Sequence, residues 1–461
     1  MKQKNMAILG GGISGLALLW FLKKQSHTAN ILLLEKASRV GGWIQTTTKE
    51  GFLFEKGPRS CRTRGNGNAT LELIQELGLE SQVILGHPSA HFRFLYLHQK
   101  LHKLPSSIFG FLSSSLTRKF VYPLLKEWSR PQGISEDESV NNFFVRRLGQ
   151  ELTDTFVDPL ISGIYAGHTR ELSMKACFAN LFQWERQYGS LTKGFWLGRR
   201  SKSVESSAFI RQIQKAPLFS FKKGMQTLTD VLAERLEEHI FKEHEVVRLK
   251  FSSDGIDLYL KDGRQFWMDE VYSTLPAHRL SLLMQEHDPQ LSKLLDQIPA
   301  TSVAVVNLGY KKKVLPHQGF GYLVPSKERE DILGVVWDSS VFPDQNQSLE
   351  ETRITVMLGG CHMIDFHSRT QGDFLNLALK ALGKHLNLTV EPDVVDVHLA
   401  KQAIPQYLVG HTHLKRGIRE RMQALSPHFH LLGSAFDGVS VNDCISNAYH
   451  FSCTLSSTVS P

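Results

Sequence analysis

Gly10-Gly11-Gly12-Ile13-Ser14-Gly15 fits the spacing G-x-G-x-x-G, and Glu35 follows twenty positions after Gly15. Residues of these types at this spacing bind a nucleotide. Gly10 permits a tight turn, Gly12 lets the backbone approach a pyrophosphate, and Gly15 lets a helix pack close to a sheet. The free N–H groups at the start of that helix suit the phosphates, and a carboxylate at position 35 suits the ribose hydroxyls. The elements that must hold these groups are legible on either side. Met6-Ala7-Ile8-Leu9 reads as a short apolar strand, Leu16 to Lys24 as a buried helix, and Ile31-Leu32-Leu33-Leu34 as a second strand ending on Glu35. Strand, turn, helix and strand in that order make a dinucleotide unit, which a glycine motif alone would not.

The residues after Glu35 bear on which nucleotide. Arg39-Val40-Gly41-Gly42-Trp43 is followed by Phe54-Glu55-Lys56-Gly57-Pro58-Arg59-Ser60. A glycine pair just after the second strand resembles the flavin amine oxidase superfamily, where it continues the pyrophosphate cradle of FAD. Folds that bind NAD have no need of this second doublet.

With 461 residues the chain has room for two or three domains and a large core, and its 41% hydrophobic content is ordinary for a globular protein. The first apolar run is the nucleotide strand itself, so no cleavable signal pattern is expected. Cys61, Cys177, Cys361, Cys444 and Cys453 form no C-x-x-C pair, which fits a reducing compartment and argues against a zinc ribbon or a disulfide scaffold. The net charge is +8, but no nucleic-acid recognition motif accompanies it. From Arg93 to Arg130 seven basic residues stand against Glu127 alone, a net +6, interleaved with Ile108, Phe109, Phe111, Phe120, Tyr122, Leu125 and Trp128. The longest charge-free run, Leu104 to Thr117, is fourteen residues, too short to span a bilayer. The mixture suits a segment lying at a membrane interface, or else a helical lobe with a solvated basic face.

Further along, Ala69 to Gly78 reads as a helix and Phe92 to Leu97 as a strand. Arg93 stands there between apolar neighbours, a setting that predicts burial and an anionic partner. Residues 103–190 read as mostly helical. The glycines and proline of Val157 to Gly167 predict an irregular crossing, and Gly198 to Lys215 reads as a loop. Glu245–Leu249, Ile256–Leu260 and Val271–Ala277 predict strands returning to the nucleotide domain. Strands at Val303–Leu308, Leu333–Trp337 and Ile354–Leu358, with a helix at Asp373–His385, predict a second, sheet-based domain. Leu431 to Cys444 reads as a strand, a turn and a helix start, with Asn442 or Asp443 as the cap.

With the stretches Gly10–Gly15, Arg39–Ile44, Phe54–Ser60, Arg93–Pro105, Gly163–Ser173, Gly319–Pro325, Val356–Gly360, Ile404–His411 and Gly433–Ile445, the chain resembles the oxygen-dependent protoporphyrinogen oxidases of haem biosynthesis from end to end. The resemblance implies an α/β protein with a discontinuous Rossmann-like FAD-binding domain (1–85, 215–280 and 405–461), a sheet-based substrate-binding domain (86–102, 191–214 and 281–404) and a helical membrane-associated lobe (103–190). It implies that Gly10, Gly11, Gly12, Ile13, Ser14, Gly15, Glu35, Lys36, Gly42, Trp43, Gly57, Pro58, Arg59 and Ser60 hold FAD. Val246 would meet the adenine end, and Val439, Ser440 and Val441 would sit by the isoalloxazine. Arg93 would pair with a substrate propionate. Gly163 would face the tetrapyrrole through its carbonyl, with Phe320, Leu323 and Met357 forming an apolar slot. One departure is Thr412, where the animal pattern has a tryptophan near the flavin. No histidine or cysteine stands in a flavin-linking context, so FAD is expected to be non-covalent.

The implied reaction takes protoporphyrinogen IX to protoporphyrin IX with oxygen as acceptor and hydrogen peroxide as by-product. The flavin does the chemistry, so no strong protein base is required and none stands out. The expected location is cytoplasmic and peripheral at a membrane, with a homodimer left open. His411-Thr412-His413 and His428-Phe429-His430 lack a nearby acid or cysteine and are read as ordinary histidines, not metal ligands. Coproporphyrinogen III oxidation to coproporphyrin III is the nearest rival and would call for more cations at the slot. A flavin amine oxidase would need an aromatic cage beside the flavin, which the sequence does not locate. A non-catalytic FAD-binding protein would fail to reduce its flavin with any porphyrinogen.

Overall fold

The first apolar run becomes the middle strand of a parallel sheet. In the computed structural model, which describes residues 4–25, 29–197 and 207–458, Asn5–Leu9 lies between Asn30–Glu35 and Glu270–Ser273, with Ile240–Lys242 and Phe429–Leu431 at the edges. Strand alternation decides what covers each face. Ile8 packs with the helix Ile13–Gln25, while Ala7 and Leu9 pack toward the antiparallel strands Val246–Phe251, Ile256–Leu260 and Gln265–Met268. The helix Ile13–Gln25 is apolar nearly all round because it is covered twice. The sheet lies on one side and the C-terminal helix Val441–Thr458 on the other, where Phe21 meets Tyr449 edge to face at 5.3 Å.

A second sheet has seven strands in the order Val394–Pro405, Ala300–Tyr310, Thr352–Gly359, Ile332–Val336, Gly321–Leu323, Arg93–Leu97 and Lys100–Lys103. Its pairings are antiparallel except where Gly321–Leu323 runs parallel to Arg93–Leu97. The helix Gln371–Leu386, started by a capping box of Thr370 and Asp373, covers one face through Phe374, Ala378 and Leu382. The other face meets the nucleotide domain. There Asn307 Nδ2 donates to Glu55 O at 3.1 Å, Lys56 lies 3.7 Å from Asp396, and Arg59 pairs with Asp338 at 3.1 Å.

Residues 108–197 are built largely of short helices around Phe120, Phe143, Ile161, Tyr165 and Met174. Their core also holds charge. Glu127, the one acid of the basic stretch, is buried against Arg147 at 3.0 Å, and Glu185 pairs with Arg147 and Arg146. Four donors from Ser190, Leu191 and Thr192 converge on Glu127, which keeps its carboxyl below the usual carboxylate range despite burial. The basic side chains outside are therefore not offset by it. Ile108, Phe109, Tyr122, Leu125 and Trp128 are exposed, whereas Phe120 is buried. No helix among the described residues is long and apolar enough to cross a membrane.

Four local expectations change. The stretch from Val157 to Gly167 is helical down to Tyr165: a π-turn, Thr153–Val157, runs into the α-helix Asp158–Tyr165. Pro159 sits in the first turn of that helix, where no donor is needed. The loop expected over 198–215 lies outside the described residues up to 206, and beyond that Ala208–Ile213 is a helix. Within 191–214, expected with the second sheet, Leu191 packs in the helical cluster and Ile210 and Ile213 in the nucleotide core. The last helix is capped by Ser440, whose Oγ accepts from Asp443 N at 3.1 Å. Asp443 Oδ2 in turn accepts from Ser440 N at 3.3 Å, and Asn442 instead accepts from Thr70 at 2.8 Å and donates to Arg62 O at 2.9 Å.

Candidate active site

The two glycine motifs form one structure. Gly12 and Gly41 make a parallel bridge, and Gly41 N donates to Gly11 O at 2.7 Å. Arg39 spans the doublet's turn, donating to Gly42 O at 2.9 Å and Ile44 O at 2.6 Å. Gly10 takes φ +102°, favoured by glycine, and Thr274 Oγ1 lies 3.1 Å from its carbonyl. A methyl group at Gly15 would lie 2.0 Å from Gly10 O, whereas one at Gly12 would meet nothing within 4 Å. The loop is thus closed behind and open in front. Glu35 closes its side: its carboxylate accepts from Gly11 N at 2.7 Å and Ala37 N at 2.8 Å. His244 N donates to Glu35 O at 2.8 Å, which brings Val246 to the same end. Lys36 is exposed beside it. Gly57 abuts Trp43, whose carbonyl a methyl group there would meet at 2.0 Å. Pro58 and Ser60 are half-buried, and Arg59 is committed to Asp338.

The C-terminal segment approaches the same loop. Val441 packs in the cluster that contains Ile13, Val439 packs against the helical lobe, and Ser440 is exposed between them. An open glycine face, a helix start and a carboxylate at the strand end fit a dinucleotide as large as FAD.

The residues expected to form the slot fall into two adjoining groups on the second sheet. Leu323, Gly334 and Met357 are neighbours across three strands and share a face. Gly163 presses on this row, since a methyl group there would lie 2.8 Å from Leu323 Cδ2. Met357 also packs near Ala166, Leu333 and Ile404. Arg93 and Phe320 make the second group. The Arg93 guanidinium lies 5.4 Å from the Phe320 ring, and Phe320 packs with Ile84 and Val336. Arg93 is not buried as expected. Alternation sends its side chain away from buried Phe94, and it is exposed with no carboxylate partner among the described residues. Partial desolvation and the nearby charge of Arg62 still hold its pKa below the usual arginine value.

Residues 13–455 match the flavin containing amine oxidoreductase family. The chain belongs to this family. Within it, the bovine protoporphyrinogen oxidase is 38% identical over 458 residues and the human one 37% over 459, each alignment covering 96% of both chains. At that identity and coverage the chain is a member of the protoporphyrinogen oxidase family. The coproporphyrinogen III oxidase of Bacillus subtilis is 28% identical over 467 residues, again covering 96% of both chains. A solved protein from Exiguobacterium sp. 255-15 superposes with a TM-score of 0.84 at 25% identity, covering 99% of this chain and 100% of that one. The chain is accordingly an FAD-dependent oxidoreductase.

The fold of this flavoprotein brings up a residue that sequence reading missed. Tyr407, buried, accepts from Gly438 N at 2.7 Å, stacks on His411 at 4.2 Å and packs beside Tyr165. It ties the turn before Val439 to the helix that carries Gly163. The only signal was an aromatic residue after Pro405-Gln406, two features common in any loop. His411 is buried, its pKa pushed down to about 4 by desolvation, and half-buried Thr412 follows it. His413 faces Glu136 at 3.2 Å, while His428 and His430 share Glu270.

Proposed function

We propose that this flavoprotein oxidises protoporphyrinogen IX to protoporphyrin IX, with oxygen as the final acceptor and hydrogen peroxide as the by-product. The observation that carries the reading is the apolar row Gly163, Leu323 and Met357 next to Arg93, an unneutralised cation. A porphyrinogen is a large apolar macrocycle with acidic edges, and it needs both surfaces. FAD when bound supplies the hydride acceptor. The chain supplies placement: Leu323, Met357 and Phe320 exclude water from the macrocycle, Gly163 allows its close approach, and Arg93 holds a propionate. Gly10 to Gly15, Glu35, Lys36, Gly42, Trp43 and Gly57 to Ser60 hold the cofactor, with Val246 at the adenine end and Val439 to Val441 by the ring. Arg59 does so through its backbone, since its guanidinium is engaged elsewhere.

Under anaerobic conditions protoporphyrinogen IX should bleach the flavin within the mixing time of a turnover experiment, and coproporphyrinogen III should do so at least about ten-fold more slowly, a difference of about 1.4 kcal/mol. Faster bleaching by coproporphyrinogen III would reassign the substrate, and no bleaching by either would discard the reading. FAD is held without a covalent bond, so acid precipitation should leave a colourless pellet and FAD in a yellow supernatant. A yellow pellet would contradict this.

The exposed Ile108, Phe109, Leu125 and Trp128, set among Arg118, Lys119 and Lys126, form a surface for peripheral contact with an anionic membrane. Each basic residue near such a surface contributes about 1 kcal/mol. Co-sedimentation with phosphatidylserine vesicles should fall as salt rises and disappear with neutral lipid. Equal pelleting on both lipids would exclude an electrostatic contact.

A further inference from the structure

The stretch Arg59 to Gly65 carries three arginines, and two have partners. Arg59 pairs with Asp338, and Arg64 Nη2 donates to Gln214 O at 3.1 Å. Arg62, between them, is exposed, and its guanidinium has no hydrogen-bond or ion-pair partner among the described residues. Its backbone is nevertheless fixed. Asn442 donates to its carbonyl at 2.9 Å, and in the short strand Cys61–Arg62 it stands opposite Leu218. Cys61 points inward, so alternation sends Arg62 outward. Leu218 packs in the same cluster as Phe320, and Arg93 lies over the Phe320 ring. Arg62 and Arg93 are thus near enough for their like charges to repel, and neither has a carboxylate partner among the described residues. A rigid backbone under a free cation, next to a second free cation, is a site built for two negative charges on one ligand.

We propose that Arg62 is a second carboxylate-binding residue of the slot, so that Arg62 and Arg93 each take one of the two propionates on one edge of the tetrapyrrole. This rests on the substrate reading given above. An Arg-to-carboxylate contact is planar and bidentate, which an ammonium reproduces only in part.

The test compares wild type, Arg62→Gln, Arg62→Lys, Arg93→Gln and the double glutamine variant on protoporphyrinogen IX and on its dimethyl ester, with FAD content measured on each. Arg62→Gln should raise KM for the free acid about ten-fold, with kcat changed by less than about two-fold. Arg62→Lys should fall between the two. On the ester, all variants should match wild type. Because the two residues take separate carboxylates, the double variant should show about the product of the single effects. The proposal is overturned if Arg62→Gln keeps the wild-type KM for the acid, if its KM for the ester rises in step, if the double variant is no worse than Arg93→Gln, or if both Arg62 variants purify without flavin. Failure of wild type to reduce its flavin with protoporphyrinogen would sink the substrate reading instead, a result distinct from all of these.

Discussion

Replacing Gly12 by valine should yield a protein that folds but purifies colourless. A methyl group at this position meets no protein atom within 4 Å, so the apoprotein accommodates the side chain. The space it enters, beside the helix start at Ile13 and the bridge to Gly41, is the one we propose for the pyrophosphate. The ratio of flavin to protein absorbance should drop to the background, while the thermal midpoint of the apo form stays within a few degrees of wild-type apoprotein. Gly15→Ala is the contrast. Its methyl group would lie 2.0 Å from Gly10 O, a backbone atom that cannot swing aside, and 3.2 Å from Thr274 Oγ1. That change should cost about 3 kcal/mol of stability, flavin or none. If Gly12→Val retains a full complement of FAD, the open face of the loop is not the cofactor's.

Glu55 should make the protein less stable as the solution turns alkaline. It ends the strand Phe52–Glu55 and is buried, its carboxylate accepting from Met225 N at 2.7 Å and Thr46 Oγ1 at 2.9 Å. Those bonds favour the ion, but desolvation outweighs them and pushes the pKa from 4.5 up to about 7. A group raised on folding takes up a proton as the chain folds. Its stabilising contribution is complete below about pH 4.5 and is lost as the pH rises through 7. The shift corresponds to about 3 kcal/mol between those limits. In Glu55→Gln the amide carries no charge at any pH. Its oxygen can accept from Met225, and its nitrogen can donate to Thr46 Oγ1, which already accepts from Gln226 N. Urea midpoints at pH 5 and pH 8 should therefore differ markedly less in the variant than in wild type. Equal pH slopes would show that Glu55 does not carry the effect.

What could be read from the sequence was what is local or periodic. The glycine spacing, the strand ending on Glu35 and the helix near 371–386 announce themselves within a few turns of chain. What could not be read depends on partners far away. Arg59 reads like a cofactor ligand, but its guanidinium is taken by Asp338, 279 positions on. Glu127 reads like a surface acid among bases, yet Arg147 on another helix draws it inside. Arg93 reads as buried because Phe92 and Phe94 flank it, although a strand's alternation places flanking residues on the opposite face. Pro159 and Gly163 read as helix breakers; the first sits where a helix begins, and the second lies inside that helix where the Leu323 side chain comes close. Tyr407 gave only the weak signal of an aromatic residue in a loop, because its role exists only once residues 434–438 have returned to it.

The cover of the first helix has a consequence for how the protein is made. Ile13–Gln25 leaves the ribosome long before Val441–Thr458, which packs over it. At roughly 5–20 residues per second, this apolar helix spends tens of seconds without its lid during synthesis. The fifth strand of the nucleotide sheet, Phe429–Leu431, arrives equally late. A stop before Val441 would therefore strand an apolar helix, without its cover, for chaperones and proteases to find.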